Sequence, residues 1–197
     1  MKSSYLRAGA ALACALALSA CGGSDGDLLI SGEFTGVTKP GLVLQNNGGA
    51  DLPIPAVNGG AGSFRFPELA ETDSSYNVTV KSVPSNATEC VVTNGSGKVA
   101  FHVTNIFVTC FIRQHALKGT VTGLTGNNLV LVNGSDRVPV PAGATSFTMA
   151  TVSEDAPYGV TILTQPDNQT CTVANGTGTV GQADVTNVAV TCGPRTP

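Results

Sequence analysis

The chain has no tryptophan, three tyrosines, two histidines and little charge: Asp, Glu, Lys and Arg make up 12% of its 197 residues. Each shortage excludes something. Soluble domains carry about a quarter charged residues, and long helices or coiled coils need Glu, Lys and Arg in bulk. Ten basic side chains spread over the whole length form no patch for a nucleic acid. A general base works beside a positioned acid and a nucleophile, and neither His102 nor His115 has such neighbours in sequence. No C-x-x-C pair occurs, which argues against a zinc or dithiol redox site. Apolar residues are not scarce, however. At 42% they exceed what a disordered tail holds. What is abundant is Thr, Val, Asn and Gly, the chemistry of strands and turns.

The first residues read as an address. Met1 to Arg7 carries Lys2 and Arg7 and no acid, and Ala8 to Ala20 is small and apolar throughout. That is a charged n-region and an h-region too short to span a bilayer. Leu18-Ser19-Ala20-Cys21 then resembles the lipobox of bacterial lipoproteins. Cys14 fits less well, because Ala11 stands three residues before it and apolar sequence continues beyond. The other reading is an ordinary secretory signal cut near Ala20.

The lipobox resemblance implies that residues 1–20 are a signal peptide and that Cys21 starts the mature chain, with lipid on its thiol and amine. Several acyl chains anchor stably where one is marginal. The partner so implied is the membrane. Gly22 stands where Asp tends to retain such proteins at the inner membrane, so the resemblance implies the outer membrane. Residues 21–27 read as a lipidated tether.

The rest is one unit written twice. Leu29-Ile30-Ser31-Gly32-Glu33-Phe34-Thr35-Gly36 aligns with Ala116-Leu117-Lys118-Gly119-Thr120-Val121-Thr122-Gly123. Leu52-Pro53-Ile54-Pro55 aligns with Val138-Pro139-Val140-Pro141. Tyr76-Asn77-Val78-Thr79-Val80 aligns with Tyr158-Gly159-Val160-Thr161-Ile162, and Val108-Thr109-Cys110 with Val190-Thr191-Cys192. The offset drifts only where Gly, Asn and Asp cluster, as insertions in loops do. The expected units are 28–112 and 116–193, joined by a polar linker at 113–115 and followed by a tail at 194–197. No window after Ala20 has helical periodicity. Short alternating runs between turn signals argue for an antiparallel β-sandwich in each unit. Asn94-Gly95-Ser96-Gly97 reads as a hairpin turn, and Pro53 and Pro55 place their strand at an edge.

Gly62-Ser63-Phe64-Arg65-Phe66-Pro67-Glu68-Leu69, with Tyr76 to Val80 after it, resembles the G-x-F-x-F-x-x-L…Y-x-V-x-V pattern of prealbumin-like sandwiches of the collagen-adhesin B type. The second unit keeps Phe147 and Tyr158 but has Met149 for the second aromatic. An immunoglobulin-like sandwich is the alternative, without its usual Trp. Collagen-adhesin B domains carry a Lys–Asn isopeptide bond, which Lys118 and Asn187 fit loosely; Ser31 replaces the lysine in the first unit.

Six cysteines divide by position. Cys14 lies in the signal, Cys21 is the lipidation site, and each unit holds two. Four cysteines allow three pairings. Duplication favours Cys90–Cys110 and Cys171–Cys192, because each unit was once sufficient alone, and export permits oxidation.

The search for chemistry finds little. Gly22-Gly23-Ser24-Asp25-Gly26 spells G-x-S-x-G but lies in the tether rather than between a strand and a helix. Asn94 to Lys98 lacks phosphate-loop spacing. Asp73 and Asp155, with Glu71 and Glu154 beside them, sit in turn compositions, and His102 and His115 read as exposed strand and linker residues. No enzyme activity, metal or cofactor is expected. The chain reads as a membrane-anchored cell-envelope lipoprotein, on the periplasmic or surface side, acting as a structural or binding module. The alternative is an adhesin-like module recognising an envelope protein or a glycan, whose mark would be an exposed aromatic row. An accessory or inhibitor of an envelope enzyme is a third reading.

Overall fold

The computed structural model describes residues 27–195, so the lipobox, Cys14 and Cys21 lie outside the described residues. Among the described residues there is no helix. The first unit has eight strands: β1 (Ile30–Thr35), β2 (Val43–Asn46), β3 (Asp51–Pro53), β4 (Gly62–Arg65), β5 (Ser75–Ser82), β6 (Ala87–Thr93), β7 (Ser96–Lys98) and β8 (Val103–Ile112). They form two four-stranded sheets, ordered β4-β1-β8-β6 and β3-β2-β5-β7. After β9 (Gln114–His115), the second unit has β10 (Leu117–Thr122), β11 (Leu129–Asn133), β12 (Asp136–Val140), β13 (Ser146–Thr148), β14 (Val152–Ser153), β15 (Pro157–Thr164), β16 (Gln169–Ala174), β17 (Thr177–Thr179) and β18 (Val185–Pro194). Its main sheets run β13-β10-β18-β16 and β12-β11-β15-β17, the same two orders again.

Alternation decides which side chains go inside. On β5, Tyr76 and Val78 are buried while Asn77 and Thr79 face out. On β8, Ile106, Val108 and Cys110 are buried and Phe107, Thr109 and Phe111 are not. Each unit has its own core. The first is built around Ile30, Phe34, Leu44, Phe64, Phe66 and Ile106, with the rings of Phe64 and Phe66 edge to face at 6.0 Å. The second is built around Leu117, Leu129, Leu131, Phe147, Met149 and Val188. Burying each such side chain contributes about 1.5–3 kcal/mol. Pro53 lies on the edge strand β3, where its missing N–H costs no ladder bond. The β2–β3 hairpin turns on Asn47 (φ 52°) and Gly48 (φ 68°), both left-handed. They are the central residues of a tight turn closed by the Gly49 N–H donating to the Asn46 carbonyl at 2.9 Å, within a four-residue connection.

Two features depart from local expectation. All sheet neighbours are antiparallel except one pair per unit: β1 runs parallel to β8, and β10 parallel to β18. First and last strands of each unit thus lie side by side with the whole unit between them in sequence. The second departure is at Asn94 to Gly97, which does not turn a hairpin. β6 pairs with β8, whereas β7 crosses to the other sheet and pairs with β5. The turn therefore carries the chain from one layer of the sandwich to the other, and Val99 to His102 is a loop between β7 and β8.

Candidate functional site

Both disulfides join directly opposed residues of neighbouring strands. Cys90 (β6) pairs with Cys110 (β8), Cα to Cα 4.0 Å, and Cys171 (β16) with Cys192 (β18), 3.9 Å. They tie the last strand of each unit to its sheet neighbour, with Cys110, Cys171 and Cys192 buried. These sulfurs are closed structural bridges.

The segment expected to be a polar linker, 113–115, takes part in a cluster of charged and polar contacts. Gln114 and His115 form β9, which pairs with Ser153 and Val152 of β14. His115 is buried, not exposed as its polar neighbours suggested. Its Nε2 lies 3.5 Å from Glu154 Oε2. Arg113 Nη1 donates to the same oxygen at 2.9 Å, and its Nη2 reaches the carbonyls of Ser85 and Ala87 in the first unit. Glu154 is itself buried, so it is a paired interior carboxylate rather than a solvated turn acid. Asp155 does occupy a turn (φ 67°), but it also bridges the units: Lys39 Nζ lies 3.2 Å from Oδ1, and Asn86 Nδ2 donates to Oδ2 at 3.1 Å. Three cationic or amide groups from around the end of unit one thus grip two acids on one loop of unit two. Only the Glu154 end of this pair is buried, Arg113 being 39% exposed; Glu154 has two partners and Arg113 three acceptors, while Asn86 Oδ1 in the same cluster is buried without a hydrogen-bond partner. Asp73, the counterpart of Asp155, has the same left-handed turn (φ 63°) and accepts the Lys98 ammonium at its backbone carbonyl.

His102 is exposed, yet it has a structural task. Its Nδ1 accepts the backbone N–H of Leu29, the residue before β1, at 3.0 Å. In the second unit Asp184 Oδ1 accepts the N–H of Ala116 at 2.9 Å. The two residues are counterparts, a match hidden in sequence because imidazole and carboxylate share only the ability to accept. The Ala116 N–H, and then Lys118 and His115, hold the Asp184 carboxyl below its ordinary value of 3.8. Lys81, and then Gln45, do the same for Asp51. A depressed carboxylate contributes stability above its unfolded pKa and loses it as pH falls through the folded one. Urea unfolding between pH 5 and 2 is therefore expected to show a loss of stability below about pH 4. Asp184→Asn, which keeps an acceptor but cannot titrate, is expected to reduce that acid limb and leave the share of Asp51; an unchanged limb would remove Asp184 as a contributor.

Lys118 is exposed and pairs with Asp184 at 3.5 Å, and Asn187 is also exposed, so the loose isopeptide fit has no counterpart in the structure. Among the described residues no three His, Cys, Asp or Glu side chains converge as a metal site.

One surface stands out that sequence reading missed. Phe107 and Phe111, on alternate-facing positions of β8, point away from the core at 45% and 50% exposure, and Val91 on β6 is 45% exposed. Phe101, in the loop before β8, is 81% exposed. The missed signal was parity: in Val103 to Ile112 the buried set is Ile106, Val108 and Cys110, which leaves the aromatic positions outside.

No protein family matches the sequence, and no curated protein matches it. Solved structures are similar to it at low identity. The Bacillus anthracis TIE protein is 11% identical with a TM-score of 0.41, over 83% of this chain and 34% of that one. A major pilin protein of Streptococcus pyogenes is 13% identical with a TM-score of 0.36, over 87% and 99% of the two chains. Two B repeat units of the collagen binding protein of Staphylococcus aureus are 15% identical with a TM-score of 0.31, over 84% and 49%. The chain spans about a third of the first of these proteins.

Proposed function

We propose that the chain is a non-catalytic, lipid-anchored protein of the bacterial cell envelope, held at the outer membrane through Cys21, in which two disulfide-braced sandwiches form a short rigid spacer. The observation that carries the spacer reading is the junction: Arg113 and His115 on Glu154, Lys39 and Asn86 on Asp155, and the β9–β14 pair between them. A flexible linker would leave two beads free to reorient; these contacts oppose that motion. The ordered run of charge, apolar stretch and Leu18-Ser19-Ala20-Cys21 supports the anchor.

Growth with radioactive palmitate is expected to label the wild-type chain and place it in the membrane fraction. Cys21→Ala is expected to abolish the label. A Cys21→Ala chain that still labels would exclude the anchor at that residue.

A second reading, a recognition module for an envelope protein or a glycan, is favoured by the exposed Phe107 and Phe111. The two readings are compatible, because a spacer can present a face.

A further inference from the structure

We propose that the outer face of the β4-β1-β8-β6 sheet docks a basic, amphipathic polypeptide segment of a partner protein. The inference rests on the recognition reading and names the chemistry of its partner.

The face is defined by register. Along β8 the outward side chains are Phe107, Thr109 and Phe111. Glu33 of β1 lies directly beside Phe107, Val91 of β6 beside Thr109, and Glu89 of β6 beside Phe111. The rings stand about 13 Å apart, four residues along a strand. Each has a carboxylate at its flank, on opposite sides. Among the described residues neither Glu33 nor Glu89 takes part in an ion pair. No lysine or arginine occupies these positions; Arg65, the nearest outward cation of the sheet, is on the edge strand β4 opposite Ser31.

The second unit serves as an internal control. Its sheet has the same order and, at the positions compared, the same pairing, although the bulge between Ala87 and Glu89 is absent from the second ladder. Thr120 lies beside Ala189 where Glu33 lies beside Phe107. Thr172 lies beside Thr191, and Thr170 beside Gly193, where Val91 meets Thr109 and Glu89 meets Phe111. The fold therefore requires none of the five. Two phenylalanines, one valine and two glutamates occur together on one face and are all replaced by small neutral residues on the other.

That combination selects a partner. Exposed aromatics at the centre of a face with charge at its corners match the anatomy of a protein interface. A second copy laid on the same face would bring four carboxylates together against only the two Arg65 side chains of the edge strands, an excess that like-charge repulsion opposes. A segment with an apolar stripe and a Lys or Arg on either side covers both rings and pairs both acids.

The test uses the mature chain from residue 21 with Cys21→Ser, which keeps it in solution, and labelled peptides of alternating Leu and Lys or alternating Leu and Glu, read by fluorescence anisotropy. The Leu-Lys peptide is expected to bind, and the Leu-Glu peptide not. Phe107→Ser with Phe111→Ser leaves the net charge unchanged, so it separates the face from general attraction between a cationic peptide and an acidic protein. It is expected to weaken binding about tenfold or more, with the chain still folded and only a modest fall in unfolding midpoint, because each ring is about half exposed. Glu33→Gln with Glu89→Gln is expected to weaken binding as well. Equal Leu-Lys binding by the Phe variant, or equal binding of both peptides, would overturn the proposal. A neutral β-linked oligosaccharide, or self-association in sedimentation, lost on the Phe substitutions in place of peptide binding would also overturn it while leaving the recognition reading standing. If the Phe substitutions alter no binding of any kind, that reading falls with it.

Discussion

Replacing Cys171 and Cys192 together by alanine is expected to lower the stability of the second unit by about 3 kcal/mol, the chain-entropy value for a loop of this size. For a unit of some 80 residues that corresponds to a fall in Tm of about 15 °C. The bridge acts chiefly on the unfolded chain, which can no longer separate β16 from β18. A small β unit leaves much of its chain surface exposed even when folded, so this fraction of its stability is large. The same exchange at Cys90 and Cys110 is expected to act on the first unit. Differential scanning calorimetry of the two double variants should each show one early transition ahead of the other unit's. A wild-type midpoint in either variant would mean that its bridge closes no loop the unfolded state needs open.

Gly32→Ala and Gly119→Ala are expected to cost as much, about 3 kcal/mol, through the folded state instead. Both glycines sit where the parallel ladder shifts register, β1 against β8 and β10 against β18. A Cβ on Gly32 would strike the backbone carbonyl of Ile106, and one on Gly119 the carbonyl of Val188 and the ring of Phe147. Neither carbonyl can swing away, because each belongs to a central strand. Gly32→Ser is expected to be no milder, since the first added atom already collides. Urea unfolding of the two alanine variants gives the comparison; a shift below about 0.5 kcal/mol, the ordinary range of surface substitutions, would show that the two strands can part without cost.

These glycines illustrate what the sequence carries and what it conceals. Gly32 and Gly119 recur in the aligned segments, but recurrence alone does not reveal that a carbonyl passes against them. Asn and Gly have local reasons to adopt left-handed backbone, as Asn47 and Gly48 do, but composition does not say where the next strand goes: Asn94 to Gly97 changes layers instead of closing a hairpin. Strands were legible from alternation. The parallel pairing of β1 with β8 was not, because it joins residues more than seventy apart. The same holds for the junction. Arg113, His115 and Glu154 are ordinary residues of a polar segment and a turn until tertiary packing brings them to one point. The cysteine pairing was open to argument because duplication supplied a constraint that distance in sequence does not. The aromatic face lay one step of parity away: Cys110 and Val108 take the core side of β8, which leaves Phe107 and Phe111 outside.

Residual dipolar couplings on the two units, in the wild type and in Arg113→Ala combined with Asp155→Ala, test the rigid spacer most directly. One alignment tensor is expected to fit both units of the wild type, and two different tensors are expected once Arg113 and Asp155 are gone. Separate tensors for the two units of the wild type would contradict the account, because the ion pairs and the β9–β14 ladder would then not hold the sandwiches as one body.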